Sequence, residues 1–457
     1  MSQAYDIVIA GAGIAGVSAA YFLSTRYHLS NILLVDPRPP LTLTTDNSTE
    51  CYRNWWPGPD QSMVSLMNRS IDLLEELADK SSNVFHLNRR GYLYVTGNSI
   101  QLPSFIDAAE RISGLGSGEL RIHRGKTGDP HYEPAHPNRY QDQPSGADLF
   151  LDPGLIQSHF PGITSQAVAA LHVRRAGWFS AQQLGMYMLE EASRLGVSVL
   201  QAEVSGVKIN KGRISGIHTS TGEYVETRCF INAAGPGLKH VAQLTGIDLP
   251  VYSELHLKVA VQDPLGVVDR HAPLLIWSDP QYINWSDEER DILAEDPATA
   301  ELLGELPSGV HTRPEGGPGS QVILVLWEYH TQTMEPIYPL PKVDAMHAEV
   351  VLRGLSRLLP GMQAYQGRLP RPRIDGGYYI KTKENRPLIG DLPIEGAYMI
   401  GALSGFGLMA ACGAGELLAA QVTGSELPDY APAFNLNRYQ DPSYLELLLR
   451  MGIDGQL

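Results

Sequence analysis

Apolar positions along this chain recur at two periods, and the switches between them mark out its elements. A β-like run over 5–10 meets Gly11-Ala12-Gly13-Ile14-Ala15-Gly16; a helical run over 17–27 and a second β-like run over 31–36 follow. That order predicts a βαβ unit. After a polar loop, Val64, Met67, Ile71, Leu74 and Ala78 fall at helical spacing and predict an amphipathic helix over 63–79. A second such helix is predicted over 182–195, followed by β-like runs over 197–200, 203–209, 213–219 and 224–231, with glycine-containing turns between them. Runs over 251–261, 321–329 and 376–381 are apolar and β-like and predict an antiparallel sheet outside the first unit. The chain then returns to a β-like run over 397–400, a glycine-rich turn and a helix over 407–422. Two stretches lack apolar periodicity. Residues 115–147 read either as a surface excursion or as a loop over a site, and the acidic 286–306 as one or two solvated helices without chemistry.

Composition narrows the function classes. The chain has 457 residues, 43% hydrophobic and 19% charged, enough for two lobes or about three domains with large cores. Lys and Arg total 35 against 50 Asp and Glu, a net charge of -15, the wrong sign for a broad grip on phosphate backbones, so nucleic acid is not an expected partner. Three scattered cysteines, Cys51, Cys229 and Cys412, form neither a disulfide framework nor a metal knuckle; with no room for a secretory signal before residue 5, a cytoplasmic protein is expected. No apolar stretch free of glycine breaks reaches the roughly 18 to 20 residues of a membrane span, so none is expected. His123, His131 and His136 lack ligand spacing, and no metal site is expected.

Gly11, Gly13 and Gly16 stand where a strand becomes a helix. The first permits the turn, the second lets backbone approach a pyrophosphate and the third lets the helix pack closely. The phosphates would sit at the helix N-terminus by Ile14 and Ala15, where N–H groups and the helix dipole favour negative charge. Asp36, twenty residues beyond Gly16 and followed by Pro37, is placed to accept hydrogen bonds from a ribose. The motif alone leaves FAD and NAD open. Its place at the start of a long chain whose later segments return to it favours FAD.

Those later segments, Phe230-Ile231-Asn232-Ala233-Ala234-Gly235-Pro236-Gly237, Asn385-Arg386-Pro387-Leu388-Ile389-Gly390-Asp391 and Gly401-Ala402-Leu403-Ser404-Gly405-Phe406-Gly407-Leu408-Met409, resemble the D-amino-acid oxidase-like flavoproteins, which include sarcosine oxidase, glycine oxidase and dimethylglycine dehydrogenase. The resemblance runs from Tyr5 to about Gly424, with 115–147 and 286–319 as departures. It implies an α/β protein, α+β overall, with a Rossmann-like FAD-binding domain (1–90, 150–250 and 370–457) and an antiparallel-sheet substrate domain (91–149 and 251–369). It adds Val204, Ala234, Gly235, Gly401, Gly405, Phe406, Gly407 and Leu408 to the cofactor-binding positions, with the helix after Gly407 aiming its positive end at the flavin pyrimidine edge. The implied chemistry is oxidation of an amine, whose α C–H faces flavin N5, to an imine that hydrolyses.

In the second flavin-contacting loop, Ser48 and Thr49 are placed as donors to the cofactor. Allowing a one-residue gap, Arg53 matches the arginine that binds substrate carboxylate in sarcosine oxidases, against the alternative of an ion pair with Glu50. Trp55 and Trp56 divide between pocket wall and core, with Trp55 taken as a substrate contact, as is Trp327 at a strand end; Glu328 reads as an edge ion pair. The arginine of glycine oxidases falls here at Tyr379, beside Tyr378, which points to the sarcosine-oxidase branch and to these tyrosines as pocket residues. That branch's flavin-linking cysteine falls near Gly377, so the FAD is expected to be noncovalent; Lys258 is a poor match for its oxygen-reducing lysine. His256 is a candidate proton acceptor, against a satisfied sheet histidine. Cys51, near this loop, shows no sign of a reactive thiolate. Arg53, Tyr379 and His256 are therefore the catalytic candidates, with O2 or an electron carrier as acceptor and an oligomer possible. The rival readings are a carrier-linked amine dehydrogenase, a non-catalytic flavin-binding subunit of a larger complex and an NAD(P)-dependent reductase.

Overall fold

The computed structural model describes residues 3–317, 319–344 and 346–450. The βαβ unit forms as the pattern predicts: strand Ile7–Ala10, helix Ile14–Tyr27 and strand Ile32–Asp36. These strands sit centrally in a six-stranded sheet ordered Ser198–Gln201, Ile32–Asp36, Ile7–Ala10, Cys229–Asn232, Ala397–Gly401, Leu388–Asp391. All pairs are parallel except the last. Parallel strands are covered on both faces, which is why Ile7–Ala10 is apolar and buried throughout instead of alternating.

Helix Gly407–Thr423 packs across Ile14–Tyr27 and Ser62–Lys80, and small residues let the backbones approach. A Cβ on Gly415 would come within 2.3 Å of Ser18 Oγ, and that hydroxyl donates to the Ala411 carbonyl at 2.7 Å. Arg69 clamps Glu416 across the crossing with two bonds of 2.7 Å. By length and composition Ser404–Thr423 does reach a membrane span, unlike the sequence expectation, because its glycines lie within continuous helix; 72% of its 18-residue apolar window is buried inside the molecule, as in a core helix.

A nine-stranded sheet forms the second layer, ordered Arg373–Lys381, Tyr252–Gln262, Val322–Leu326, His311–Pro314, Leu274–Trp277, Tyr92–Thr96, Ala169–Val173, Ala147–Phe150, Leu120–His123. It is antiparallel but for two parallel pairs, Leu274–Trp277 with Tyr92–Thr96 and Leu120–His123 with Ala147–Phe150. Ala169–Val173 and Arg373–Lys381 fall within the stretches expected in the other domain, yet both hydrogen-bond along their length to this sheet. The reason is that short apolar runs carry no mark of which sheet they join. The region 115–147 contributes the edge strand Leu120–His123, and 286–306 forms the helices Asp287–Ala294, with a Ser286/Glu289 capping box, and Pro297–Ala300. Helix His347–Leu358, not predicted from the sequence, covers Trp327 and Val325. The 451–457 end of the expected first domain lies outside the described residues.

Candidate active site

Two adjoining cavities open where the carboxyl ends of the parallel strands face the nine-stranded sheet. The larger holds about 960 Å³, mouth included, at the top of the ~300–1,000 Å³ range of small-molecule sites. From the first unit it is lined by Gly11, Gly13, Ile14, Ala15 and Asp36, from two loops by Ser48, Ala234 and Gly235, and from the C-terminal turn by Gly401, Gly405, Gly407 and Leu408. Tyr378 and Tyr379 close its sheet side. Beyond Asp36 it widens past Pro37 and Val204. Sequence reasoning thus gathered residues more than three hundred positions apart around one space.

Gly11 has φ +110°, and a Cβ there would meet the Ala233 carbonyl oxygen at 2.3 Å, so the turn and the neighbouring loop require glycine. Among the described residues beyond its chain neighbours, a Cβ on Gly13 would come within 4 Å of Thr45 Oγ1 alone, at 3.5 Å, so backbone there faces open space. Asp36 accepts from Ala12 N at 2.8 Å and Arg38 N at 2.9 Å, which fixes its carboxylate at the cleft. Helices Ile14–Tyr27 and Gly407–Thr423 both begin at this cleft without a capping side chain from their N-cap residues; the Ile14 N–H donates to Thr45 Oγ1 at 3.1 Å, and both helices turn their positive dipole ends toward the cleft. A dinucleotide with an anionic pyrophosphate at one end and an electron-rich ring edge at the other fits that arrangement.

Not every cofactor candidate touches the cleft. Gly16 packs inward, where a Cβ would meet the Gly11 carbonyl oxygen at 2.0 Å, so its role is helix packing. Thr49 and Phe406 line the smaller cavity instead.

The smaller cavity, about 520 Å³, meets the larger at Tyr379 and Gly405. Its walls include Arg53, Trp56, Tyr92, His311, Glu328 and Tyr379. Arg53 comes from the strand Cys51–Arg53, paired antiparallel with Ala176–Trp178. It is 5% exposed; its Nε donates to the Trp55 carbonyl at 3.1 Å, and its guanidinium lies over the rings of Trp56 (4.7 Å) and Tyr92 (5.7 Å). Glu50, the partner considered for it, meets Arg313 at 3.4 Å. The indole N–H of Trp56 is buried and has no hydrogen-bond partner among the described residues.

Behind Tyr379 lies a charged cluster. The Tyr379 ring stacks on His256 at 4.0 Å, and His256 joins Glu328 through Nδ1 (2.6 Å) and Glu254 through Nε2 (3.1 Å), with Lys381 also on Glu254 at 3.0 Å. Burial alone would lower the His256 pKa, but the two carboxylates raise it above its usual value. Both ring nitrogens are therefore donors, and His256 does not line either cavity, so it is a charged positioning residue and not a neutral proton acceptor. Glu328, read from sequence as an edge pair, is indeed paired, yet also lines the cavity.

His311 was missed. Its Nδ1 lies 2.8 Å from the Gly309 carbonyl, an acceptor only, so Nδ1 carries the proton and Nε2 of the neutral ring is an acceptor. Burial, assisted by Arg53, holds its pKa below the usual value. Arg313 was missed too: it donates to the Thr49 carbonyl (2.8 and 3.0 Å) and pins the loop. Neither residue lies in a motif; only the strand pairing of His311–Pro314 with Leu274–Trp277 and Val322–Leu326 delivers them.

Trp55 lies in a core cluster with Cys51 and Ala176, and Trp327 in the nine-stranded sheet's core, its Nε1 donating to Pro307 at 2.9 Å, so neither contacts the cavities. Trp56 is the tryptophan that forms the wall. Burial pushes the Cys51 thiol up, against reactivity. Lys258 donates to the Ser48 carbonyl at 3.1 Å and pairs with Asp375 at 3.3 Å.

Comparison with known proteins places this architecture. The family described as FAD dependent oxidoreductase matches residues 6–421, and the chain belongs to that family. The chain is similar to sarcosine oxidase subunit beta of Arthrobacter sp, 20% identical over 441 residues, 96% of this chain and 92% of the relative. Among solved structures it is similar to L-proline dehydrogenase from P.horikoshii, with TM-score 0.73, 19% identity, and coverage of 96% of this chain and 99% of that one. It is likewise similar to glycine oxidase from Geobacillus kaustophilus, with TM-score 0.71, 15% identity and the same two coverages.

Proposed function

We propose that this FAD-dependent oxidoreductase oxidises the C–N bond of an amino acid or N-alkyl amino acid to an imine, which water hydrolyses to a carbonyl compound and an amine. The observation that carries the reading is the smaller cavity, where the Arg53 guanidinium and the partnerless Trp56 indole N–H stand together beside the flavin cleft. Two such donors suit a carboxylate. The names of the three similar proteins, sarcosine oxidase subunit beta, L-proline dehydrogenase and glycine oxidase, share an amine and a carboxylate on one carbon in their substrates.

Arg53 would seat the carboxylate in a fixed orientation, with Trp56 and Tyr92 holding the planar fork in place. Glu328, kept anionic by His256, would attract the substrate ammonium. His311 Nε2 would take the ammonium proton, since only the neutral amine has the lone pair that drives oxidation. Tyr379, held by its stack on His256, would shape the passage between substrate and cofactor. Held noncovalently between the two helix N-termini, FAD would supply the hydride acceptor.

A second reading, transfer of electrons to a carrier instead of O2, is favoured by Lys258, whose ammonium is engaged by Ser48 and Asp375 and lines neither cavity. The test of the main reading is product analysis after anaerobic mixing with sarcosine, glycine, L-proline and larger L- and D-amino acids. One carbonyl product per flavin reduced is expected with one substrate class. Absence of carbonyl product with every carboxylate-bearing amine would overturn it.

A further inference from the structure

The region after strand Val322–Leu326 leaves its own domain and crosses to the cofactor cleft. Residues 333–338 are tied along the nine-stranded sheet: Thr333 bridges Glu254, Met334 N donates to the Ser253 carbonyl at 3.0 Å, and the Tyr378 hydroxyl donates to the Ile337 carbonyl at 3.2 Å. The Tyr338 ring then packs edge-on against Tyr378 at 5.6 Å and receives the Arg38 guanidinium at 4.6 Å from its centroid. Arg38 belongs to the opposite domain, where its backbone N–H holds Asp36. Glu335, Pro336 and Tyr338 thereby complete the wall of the widened cleft facing Asp36, Pro37 and Val204.

One atom in this wall is unspent. Among the described residues the buried Tyr338 hydroxyl has no hydrogen-bond partner, a state that costs free energy unless an acceptor arrives. Burial pushes its pKa up to about 12, so it remains a donor at neutral pH.

We propose that residues 333–338 form a strap that the substrate domain lays across the adenosine monophosphate half of FAD, with the Tyr338 hydroxyl donating to an oxygen of its ribose or its phosphate and Arg38 clamped against the Tyr338 ring beside it. This rests on the cofactor assignment, and it goes further by making the substrate domain part of the cofactor site. The strap residues act on the half of the cofactor that FMN lacks. Loss of the hydroxyl should therefore weaken FAD and spare FMN.

The experiment compares wild type, Tyr338→Phe, Tyr338→Ala and Arg38→Gln after removal of flavin, following FAD and FMN binding by flavin fluorescence and FAD release by trapping with excess apoprotein. Y338F should raise the FAD dissociation constant about two- to tenfold, the worth of one neutral hydrogen bond, and speed release to match. Y338A and R38Q should weaken FAD further. FMN affinity should be unchanged in Y338F, because that variant keeps the ring and its stack, and its apoprotein should melt no lower than wild type, since the unpaired buried hydroxyl is gone. If wild type binds FAD and the FAD affinity of Y338F equals it, or if FMN weakens in parallel, the strap contact is refuted while the cofactor assignment stands. If wild type binds no FAD, both fall.

Discussion

Replacing Arg53 tests the link between cavity and substrate. Arg53→Met keeps most of the buried volume and the contact with Trp56 and Tyr92, but removes the guanidinium that the reading assigns to the carboxylate. Hydrogen bonds to charged groups contribute about 1.5–3 kcal/mol each, and truncating one side of a buried charge pair costs about 2–5 kcal/mol. Because Arg53 is 5% exposed, water cannot screen the loss. A cost of about 2–4 kcal/mol in kcat/KM corresponds to a fall of about 30- to 900-fold. Arg53→Lys retains the charge but not the fork or the stacking, and should fall between. The assay is the anaerobic rate of flavin reduction by an amino acid and by the amine obtained by removing its carboxylate. The amino acid should lose the full factor in R53M and the amine less than about threefold. Equal losses for both, with folding intact by circular dichroism, would refute carboxylate recognition by Arg53.

Three further outcomes follow from the same geometry. His311→Asn should slow flavin reduction about 10²- to 10⁴-fold at neutral pH; the acid limb of the wild-type profile, set below the usual histidine pKa, should vanish with it in rates measured by stopped flow. Glu254 is held down to about 2, first by its hydrogen bond to His256 and then, against burial, by Lys381. Its stabilising contribution is therefore present above the usual carboxylate value of 4.5 and lost as pH falls toward 2, so Glu254→Gln should flatten the loss of melting temperature across that window and a parallel curve would contradict it. Gly11→Ala places a Cβ 2.3 Å from the Ala233 carbonyl oxygen at φ +110°, and should cost about 1–3 kcal/mol of stability together with FAD retention, measured by melting and by flavin content.

The parts of this site legible in the sequence are those built by local rules. Gly11, Gly13 and Asp36 are readable because a strand, a tight turn and a helix dictate their spacing, and the structure sets them around one cleft. Helix Ser62–Lys80 is readable because its buried face repeats at helical spacing. His311 and Arg313 are not readable, since their position depends on which of nine strands neighbour each other. Trp55 and Trp56 are adjacent with different roles; both lie in irregular chain beyond the strand Cys51–Arg53, where no periodicity in the sequence says which ring faces the cavity. His256 shows the same limit in another form: its charge comes from Glu328, seventy-two residues away, and not from its own strand alone. The boundary at 370 misplaced Arg373–Lys381 because that strand's partner, Tyr252–Gln262, is distant in sequence.

The visible spectrum of the purified protein, recorded anaerobically before and after adding carboxylate-bearing amines, tests the central claim most directly. An oxidised flavin band is expected that at least one such amine bleaches, while its decarboxylated counterpart does so far more slowly. A flavin band that no carboxylate-bearing amine bleaches, or a protein that neither contains nor takes up FAD, would contradict it.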